Sequence, residues 1–325
     1  MRIARVLLLT KMLVGAAFVL SLATLAEGQS ERISFQSLTF PGDLWTPFMP
    51  LPSEGSPSTV SGVLRLPPGT ARLPAVILTH GCAGIRGAEL AWATTLDAFG
   101  IATFVVDSFA GRSIPEVCTG HHRLNIASVL TDVYRAMSLM AAHPRIDAGR
   151  IAIMGLSFGG RTALWASHHR FQERYGDGLI RFAAHLAFYP ASCYIRLADE
   201  DRIGPAPIRI FHGAADDWIP IGPCKSYVER LQRAGKDAAL LEYPDAHHSF
   251  DDPLSPGGKL PHALSPAKCA FVERDGQIAD PATGRVAGRD APCMLRGASL
   301  AYNREAHERA VRDVQDFLGA VFRLK

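Results

Sequence analysis

None of the six cysteines forms a Cys-x-x-Cys pair, so zinc-knuckle and thioredoxin-type spacings are missing. Net charge is also scarce: 34 Lys plus Arg stand against 31 Asp plus Glu, a formal +3. Three of the basic residues, Arg2, Arg5 and Lys11, lie at the extreme N-terminus, with Glu27 the only acid before residue 29. A chain cut after Gly28 is nearly neutral. A basic face for nucleic acid or an anionic membrane therefore has no compositional support. No internal repeat occurs. A 325-residue chain with 48% hydrophobic and 20% charged residues is neither disordered, collagen-like nor a disulfide miniprotein. It is long enough to bury a large core.

The apolar run Met12 to Ala26 follows the basic segment and is short for a bilayer span, which needs about 20 residues. Small residues then offer cleavage after Ala26 or Gly28. Residues 1–28 read as a secretory signal, with an uncleaved anchor as the rival. No cysteine follows the run to take a lipid, and no Arg pair precedes it. The expectation is a secreted or periplasmic protein with no stable membrane anchor after cleavage. An even cysteine count in an exported chain suggests disulfides. Joining sequence neighbours pairs Cys82 with Cys118, Cys193 with Cys224, and Cys269 with Cys293.

From residue 59 a βα rhythm begins, after a Pro-containing lead-in with a strand at 32–39. Strands are expected at 59–66, 75–79, 101–106, 150–154, 182–188, 208–211 and 238–243. Helices are expected at 88–99, 126–142, 157–168, 225–233 and 303–322. The run AVILT at 75–79 has the continuous apolar character of a strand buried on both faces. This alternation predicts the α/β class: a mainly parallel twisted sheet with helices on both faces and right-handed crossovers. Residues 29–325 read as a single domain. Residues 251–300 break the rhythm, being rich in Pro, Gly and charge. Cys269 and Cys293 mark them as a disulfide-stapled insertion before the closing helix.

The strand at 150–154 runs into Gly155-Leu156-Ser157-Phe158-Gly159-Gly160 and then a helix. This is G-x-S-x-G in strand–turn–helix context, where a sharp turn lifts a serine Oγ above the sheet edge. A serine nucleophile needs a base, and the base an orienting acid, in the chain order Ser, acid, His. The strand at 208–211 leads to Asp216-Asp217, and the strand at 238–243 leads to His247-His248. Three strands thus deliver the three groups to one rim in the required order. The oxyanion donors expected are the N–H of Phe158 and that of Cys82, in the Gly-rich loop after the strand at 75–79. Trp218, beside the acid, is a candidate pocket wall. His121-His122 and His168-His169 are adjacent pairs that share no helix face, so no metal site is implied.

The segments HGCAG (80–84), GLSFGG (155–160), GAADDWIP (213–220) and YPDAHHSF (243–250) resemble the dienelactone hydrolase family of α/β-hydrolases, over about residues 60–250 plus the closing helix. The resemblance implies the α/β-hydrolase fold and selects Asp216 over Asp217 and His248 over His247 as partners of Ser157. Enzymes that name the family use a Cys nucleophile and an acid in the first loop; this chain has Ser157 and His-Gly-Cys. An Arg follows their His segment, where Asp251 and Asp252 stand here. Arg112, in DSFAGR, lies one residue from where another substrate-carboxylate Arg falls, and is carried as a candidate substrate contact. The expected activity is hydrolysis of small-molecule carboxylic esters, lactones or thioesters through an acyl-enzyme on Ser157, His248 and Asp216, with no cofactor. A peptidase or acyltransferase on the same triad is the alternative, and behind it a binding module on the hydrolase scaffold.

Overall fold

The computed structural model describes residues 29–42, 54–120, 123–288 and 290–324. The expected signal, residues 1–28, and His121-His122 lie outside them. The elements run β1 (Gln29–Thr39), β2 (Ser56–Leu66), β3 (Leu73–Thr79), α1 (Gly87–Ala98), β4 (Ala102–Asp107), α2 (Ile126–Ala141), β5 (Ile146–Leu156), α3 (Phe158–Trp165), α4 (His169–Tyr175), β6 (His185–Phe188), β7 (Ile195–Arg196), β8 (Ile208–Gly213), α5 (Ile221–Arg233) and β9 (Ala238–Tyr243). Six short strands follow: β10 (Gly258–Lys259), β11 (Leu264–Ser265), β12 (Phe271–Arg274), β13 (Gln277–Ala279), β14 (Leu295–Arg296) and β15 (Ser299–Leu300). The helix α6 (Arg304–Phe322) closes the chain.

Eight strands form one sheet in the order β1-β2-β4-β3-β5-β6-β8-β9. The first three are antiparallel neighbours, and every pair from β4 to β9 is parallel. This is the mostly parallel α/β sheet of an α/β-hydrolase. Alternation along β3 divides the core. Ala75 and Ile77 join one buried cluster with residues of α2 and α3; Val76 and Leu78 join the other with α1 and α6. Burial on both faces is why these strands read as continuous apolar runs.

The structure differs from the sequence expectation in three places. The helix expected over 157–168 ends at Trp165, and α4 begins at His169. His168 pairs with Ile203 as an isolated bridge, and that extended conformation breaks the helix. Burial lowers the His168 pKa to about 3, so it is neutral and acts as a packing residue. Residues 251–300, where no elements were expected, form short strands: β12 pairs with β13 and, in parallel, with β7. Strands of two to four residues are too short to show periodicity in a sequence.

The third difference corrects the reading of Arg112 as a substrate contact. Its five N–H donors are all used inside the protein. Nε donates to Thr39 Oγ1, and the two terminal nitrogens donate to Ser108 O, Leu38 O and both oxygens of Asp132, at 2.7–2.9 Å. Both partners are buried, with side-chain exposures of 3% and 0%. The pair ties β1 and the 3-10 turn Ala110–Arg112 to α2, and no donor remains for a substrate carboxylate.

All six cysteines pair as the neighbour reading expects, Cys82–Cys118, Cys193–Cys224 and Cys269–Cys293, with Cα separations of 4.9, 4.9 and 5.0 Å. Three bridges with no free thiol fit an extracellular or periplasmic protein. Among the described residues no helix is long and apolar enough to cross a membrane.

Removing one partner of a buried ion pair leaves an uncompensated charge. Arg112→Met is expected to cost about 3–5 kcal/mol in urea unfolding, while KM for a small ester measured on the folded fraction stays unchanged. A stable variant with a raised KM would restore Arg112 to the substrate site.

Candidate active site

Ser157 sits between β5 and α3 at φ 54°, ψ −107°, a left-handed conformation unusual for a residue with a Cβ. Two glycines permit it. A Cβ added at Gly155 would lie 2.0 Å from the Gly159 carbonyl oxygen, and one at Gly159 would lie 2.2 Å from that of Thr79. The turn is pinned to β6 and the loop after it: Ser157 N–H donates to Phe188 O (2.9 Å), and Ala191 N–H donates to Ser157 O (3.2 Å). Phe158 opens α3, so its N–H has no acceptor within the helix.

The loops after β8 and β9 meet beside this turn. Ala214 N–H donates to Tyr243 O (2.9 Å) and Ala215 N–H to Ala246 O (3.0 Å). That pairing sets Asp216 against His248: Asp216 Oδ2 lies 2.8 Å from His248 Nδ1, and His248 Nε2 lies 2.9 Å from Ser157 Oγ. Asp216 Oδ1 also accepts from the N–H groups of Trp218 and Ile219, both at 2.9 Å. Burial pushes the Asp216 carboxyl upward, but the His248 charge and the hydrogen bonds outweigh it, and the pKa stays below the usual value. An ionised Asp216 only accepts, so the proton resides on Nδ1 and Nε2 accepts from the Ser157 hydroxyl.

The other sequence candidates fall into place around this chain. Asp217 turns outward and accepts from Ser299 N–H and Oγ, both at 2.8 Å. His247 takes no part in the chain. Trp218 is 6% exposed, lies 4.8 Å ring to ring from His248, and donates Nε1–H to Leu264 O at 2.9 Å. Cys82 is half-buried on the facing loop, bridged to Cys118, and its carbonyl accepts from Val117 N–H at 2.7 Å. Cys82, Ser157, Phe158 and Trp218 line one cavity. The six cysteines serve as staples rather than as thiols. Among the described residues no group of three or more His, Cys, Asp or Glu has metal-holding geometry.

Sequence reasoning missed two buried acids beneath the site. Asp251 accepts from Trp92 Nε1–H (2.6 Å) and Tyr189 O–H (2.7 Å). The Tyr189 ring lies 4.5 Å from the His248 ring. Glu89 accepts from Gly81 N–H (3.1 Å) and Arg86 N–H (2.7 Å), gripping both ends of the loop that holds Cys82. Burial raises the pKa of both acids. The available signal was modest: Asp251 directly follows the catalytic-type His-His-Ser-Phe stretch, and only its contrast with the family's Arg drew notice.

Residues 60–322 match the model of the dienelactone hydrolase family. A Bradyrhizobium protein named "Probable 2-oxo-3-(5-oxofuran-2-ylidene)propanoate lactonase" is 27% identical over 203 residues, covering 58% of this chain and 78% of its own. The quorum-quenching protein AidA of Acinetobacter baumannii is 27% identical over 303 residues, covering 82% of this chain and 92% of its own. Among solved structures, a dienelactone hydrolase-like promiscuous phosphotriesterase from metagenomic libraries superposes with a TM-score of 0.53 at 16% identity, over 89% of this chain and 98% of that one. That likeness concerns the fold.

The raised Asp251 carboxyl has a stability signature. Its native pKa lies above the unfolded 3.8, so its contribution is complete below pH 3.8 and is lost as pH rises through the native value. Asp251→Asn keeps an acceptor for Trp92 and supplies a donor to Tyr189. Urea midpoints taken from pH 4 upward are expected to decline less steeply for the Asn variant than for wild type. Parallel declines would mean that Asp251 does not titrate in the native protein.

Proposed function

We propose, from the premise that this chain belongs to the dienelactone hydrolase family and is a hydrolase of ester or lactone type, that it works through an acyl-enzyme on Ser157. Ser157 Oγ attacks the substrate carbonyl carbon while its proton passes to His248 Nε2. The carbonyl π electrons move to oxygen, which sits against the N–H of Phe158 at the N-terminus of α3 and that of Cys82 in the loop after β3. The tetrahedral adduct collapses, the C–O bond to the alcohol breaks, and His248 returns the proton to the leaving oxygen. Water then repeats the sequence: it loses a proton to His248, displaces Ser157 Oγ from the acyl carbon and releases the acid. Asp216 holds the Nδ1–H tautomer and stabilises the imidazolium formed in each half-reaction. Trp218 fixes the position of the His248 ring.

One observation carries this reading: the unbroken hydrogen-bonded chain Ser157–His248–Asp216 ending at a positive-φ turn. The buried Asp216, with two backbone donors besides His248, supports its role as the orienting acid. The three disulfides support the further proposal that residues 1–28 direct export and that residues 29–325 form one domain carrying residues 251–300 as its insertion.

A fluorophosphonate is expected to label Ser157 and no other residue. Ser157→Ala is expected to abolish labelling and to lower kcat for p-nitrophenyl acetate by at least about 1,000-fold, and Asp216→Asn to lower it by about 10,000-fold through the wrong tautomer. Labelled protein in the Ser157→Ala variant, or unchanged turnover, would overturn the assignment.

A further inference from the structure

In the acyl-enzyme, Ser157 Oγ is esterified and has no proton to donate. His248 Nε2 then loses the hydroxyl that lies 2.9 Å away in the free protein. Of the two hydrogen bonds on the ring, only that from Nδ1 to Asp216, at 2.8 Å, remains. A planar ring held by one hydrogen bond can tilt and swing about it, yet Nε2 must still meet the attacking water. The packing around His248 therefore matters most in the second half of the reaction.

Two aromatic rings pack on His248, Trp218 at 4.8 Å and Tyr189 at 4.5 Å between centroids. Tyr189 directly follows β6, is 1% exposed and adopts φ 35°. Its N–H donates to Phe211 O at 2.8 Å. Its phenol donates to Asp251 Oδ1 at 2.7 Å, and Asp251 Oδ2 accepts from Trp92 Nε1–H at 2.6 Å. Asp251 stands three residues after His248, beyond Ser249 at φ 57°. The loop that carries the base thus turns back through a left-handed residue and ties down the ring that backs the base. Non-glycine residues in that conformation persist where their surroundings over-determine them, and they cluster at functional sites. Burial raises the phenol pKa well above its ordinary value, so Tyr189 keeps its proton and stays a donor. Packing alone asks only for a ring at this position; the anchored hydroxyl sets where the ring lies.

We propose that Tyr189 is a positioning residue for His248, held in place by Asp251, and that its effect falls chiefly on deacylation. This rests on the acyl-enzyme reading above. In that step water gives a proton to His248 Nε2 while its oxygen adds to the acyl carbon. The adduct collapses, the C–O bond to Ser157 Oγ breaks, and the proton passes from His248 to Oγ. The Tyr189 ring limits the tilt of the imidazole throughout and takes no proton itself. Misplacing a reacting group by about 1 Å costs about 100-fold, so a loosened ring is expected to slow the step by at least about 10-fold.

The test reads the two half-reactions separately, with p-nitrophenyl acetate and the intact protein. The burst of p-nitrophenolate reports acylation, and the decay of acetylated protein by intact mass reports deacylation. Tyr189→Phe keeps the ring and removes its anchor. It is expected to slow deacylation at least about 10-fold while acylation stays within about threefold, so that kcat and KM fall together. Asp251→Ala is expected to slow deacylation to a similar extent. Asp251→Asn, which keeps an acceptor for Trp92 and offers Tyr189 a partner, is expected to recover most of that loss. A purely structural role predicts fewer sites titrated by a fluorophosphonate, with both rates unchanged at each remaining site. That result, or equal slowing of the two half-reactions, overturns the positioning inference and leaves the acyl-enzyme mechanism standing. Should the variants fail to fold, wild-type protein phosphonylated on Ser157 still decides the matter, because no serine hydroxyl remains to hold Nε2. A single sharp His248 Nδ1–H resonance is expected there by NMR, and its loss to exchange broadening overturns the inference. Absence of both acetylation and phosphonylation at Ser157 overturns the acyl-enzyme reading as well.

Discussion

The turn at Ser157 is the constraint from which the rest of the rim follows. A residue with a Cβ held at φ 54° carries local strain of order 1–3 kcal/mol and persists only where its surroundings over-determine it. Here α3 approaches β5 and the end of β3 so closely that neither Gly155 nor Gly159 has room for a side chain. The serine peptide is gripped from both sides, by Phe188 O and by Ala191 N–H. The same end of β6 continues into Tyr189, itself at φ 35°, whose ring backs His248. A single strand terminus thus positions Ser157 by its backbone and backs His248 with its next side chain.

Two aspartates near one histidine show how environment divides identical chemistry. Asp216 is buried among a histidine and two backbone N–H groups, and its pKa falls. Asp251 is equally buried, but its donors are an indole and a phenol, and its pKa rises. Both lose hydration; at Asp216 the directly bonded His248 and two peptide N–H groups outweigh that loss, whereas at Asp251 the indole, the phenol and His307 do not. The low acid is the one hydrogen-bonded to His248. The high acid lies one layer deeper, where a second fixed charge would compete for the same proton. Arg112–Asp132 answers burial differently, with a guanidinium whose every donor is used, and it sits where structure rather than proton transfer is at stake.

The site was legible because each of its members stands just past the end of a strand, and strands buried on both faces announce themselves as apolar runs. Ser157 also has flanking glycines that only a tight crossing requires. Choosing Asp216 over Asp217 needed the family pattern, since both stand in the same loop; the structure separates them by which carboxylate turns inward and which caps Ser299. Arg112 was misread because its spacing matched a pattern while its true partner, Asp132, is brought to it by the packing of α2 on β1. Contacts of that kind depend on tertiary structure and leave no local trace. The insertion was opaque for another reason. Its strands of two to four residues draw their pairing from β7 and from one another, with no periodicity of their own.

The disulfides tie loops to the core, with Cys193, Cys224 and Cys269 buried in the main apolar cluster. Cys82–Cys118 joins the Gly81–Gly84 loop to the segment before α2, Cys193–Cys224 joins the segment after β6 to α5, and Cys269–Cys293 closes a loop within residues 251–300. Bridges spanning 24–36 residues each remove about 3–4 kcal/mol of loop entropy from the unfolded chain in the chain-entropy account. Their position matters as much as their number. An oxyanion donor acts only when preset near the place where charge develops, and a misplacement of about 1 Å forfeits much of its effect. A loop of glycines such as Gly81–Gly84 allows that close approach but lacks stiffness of its own. In this molecule Glu89 fixes the ends of that loop by hydrogen bonds and the Cys82–Cys118 bridge fixes its middle, so the stiffness comes from outside the loop.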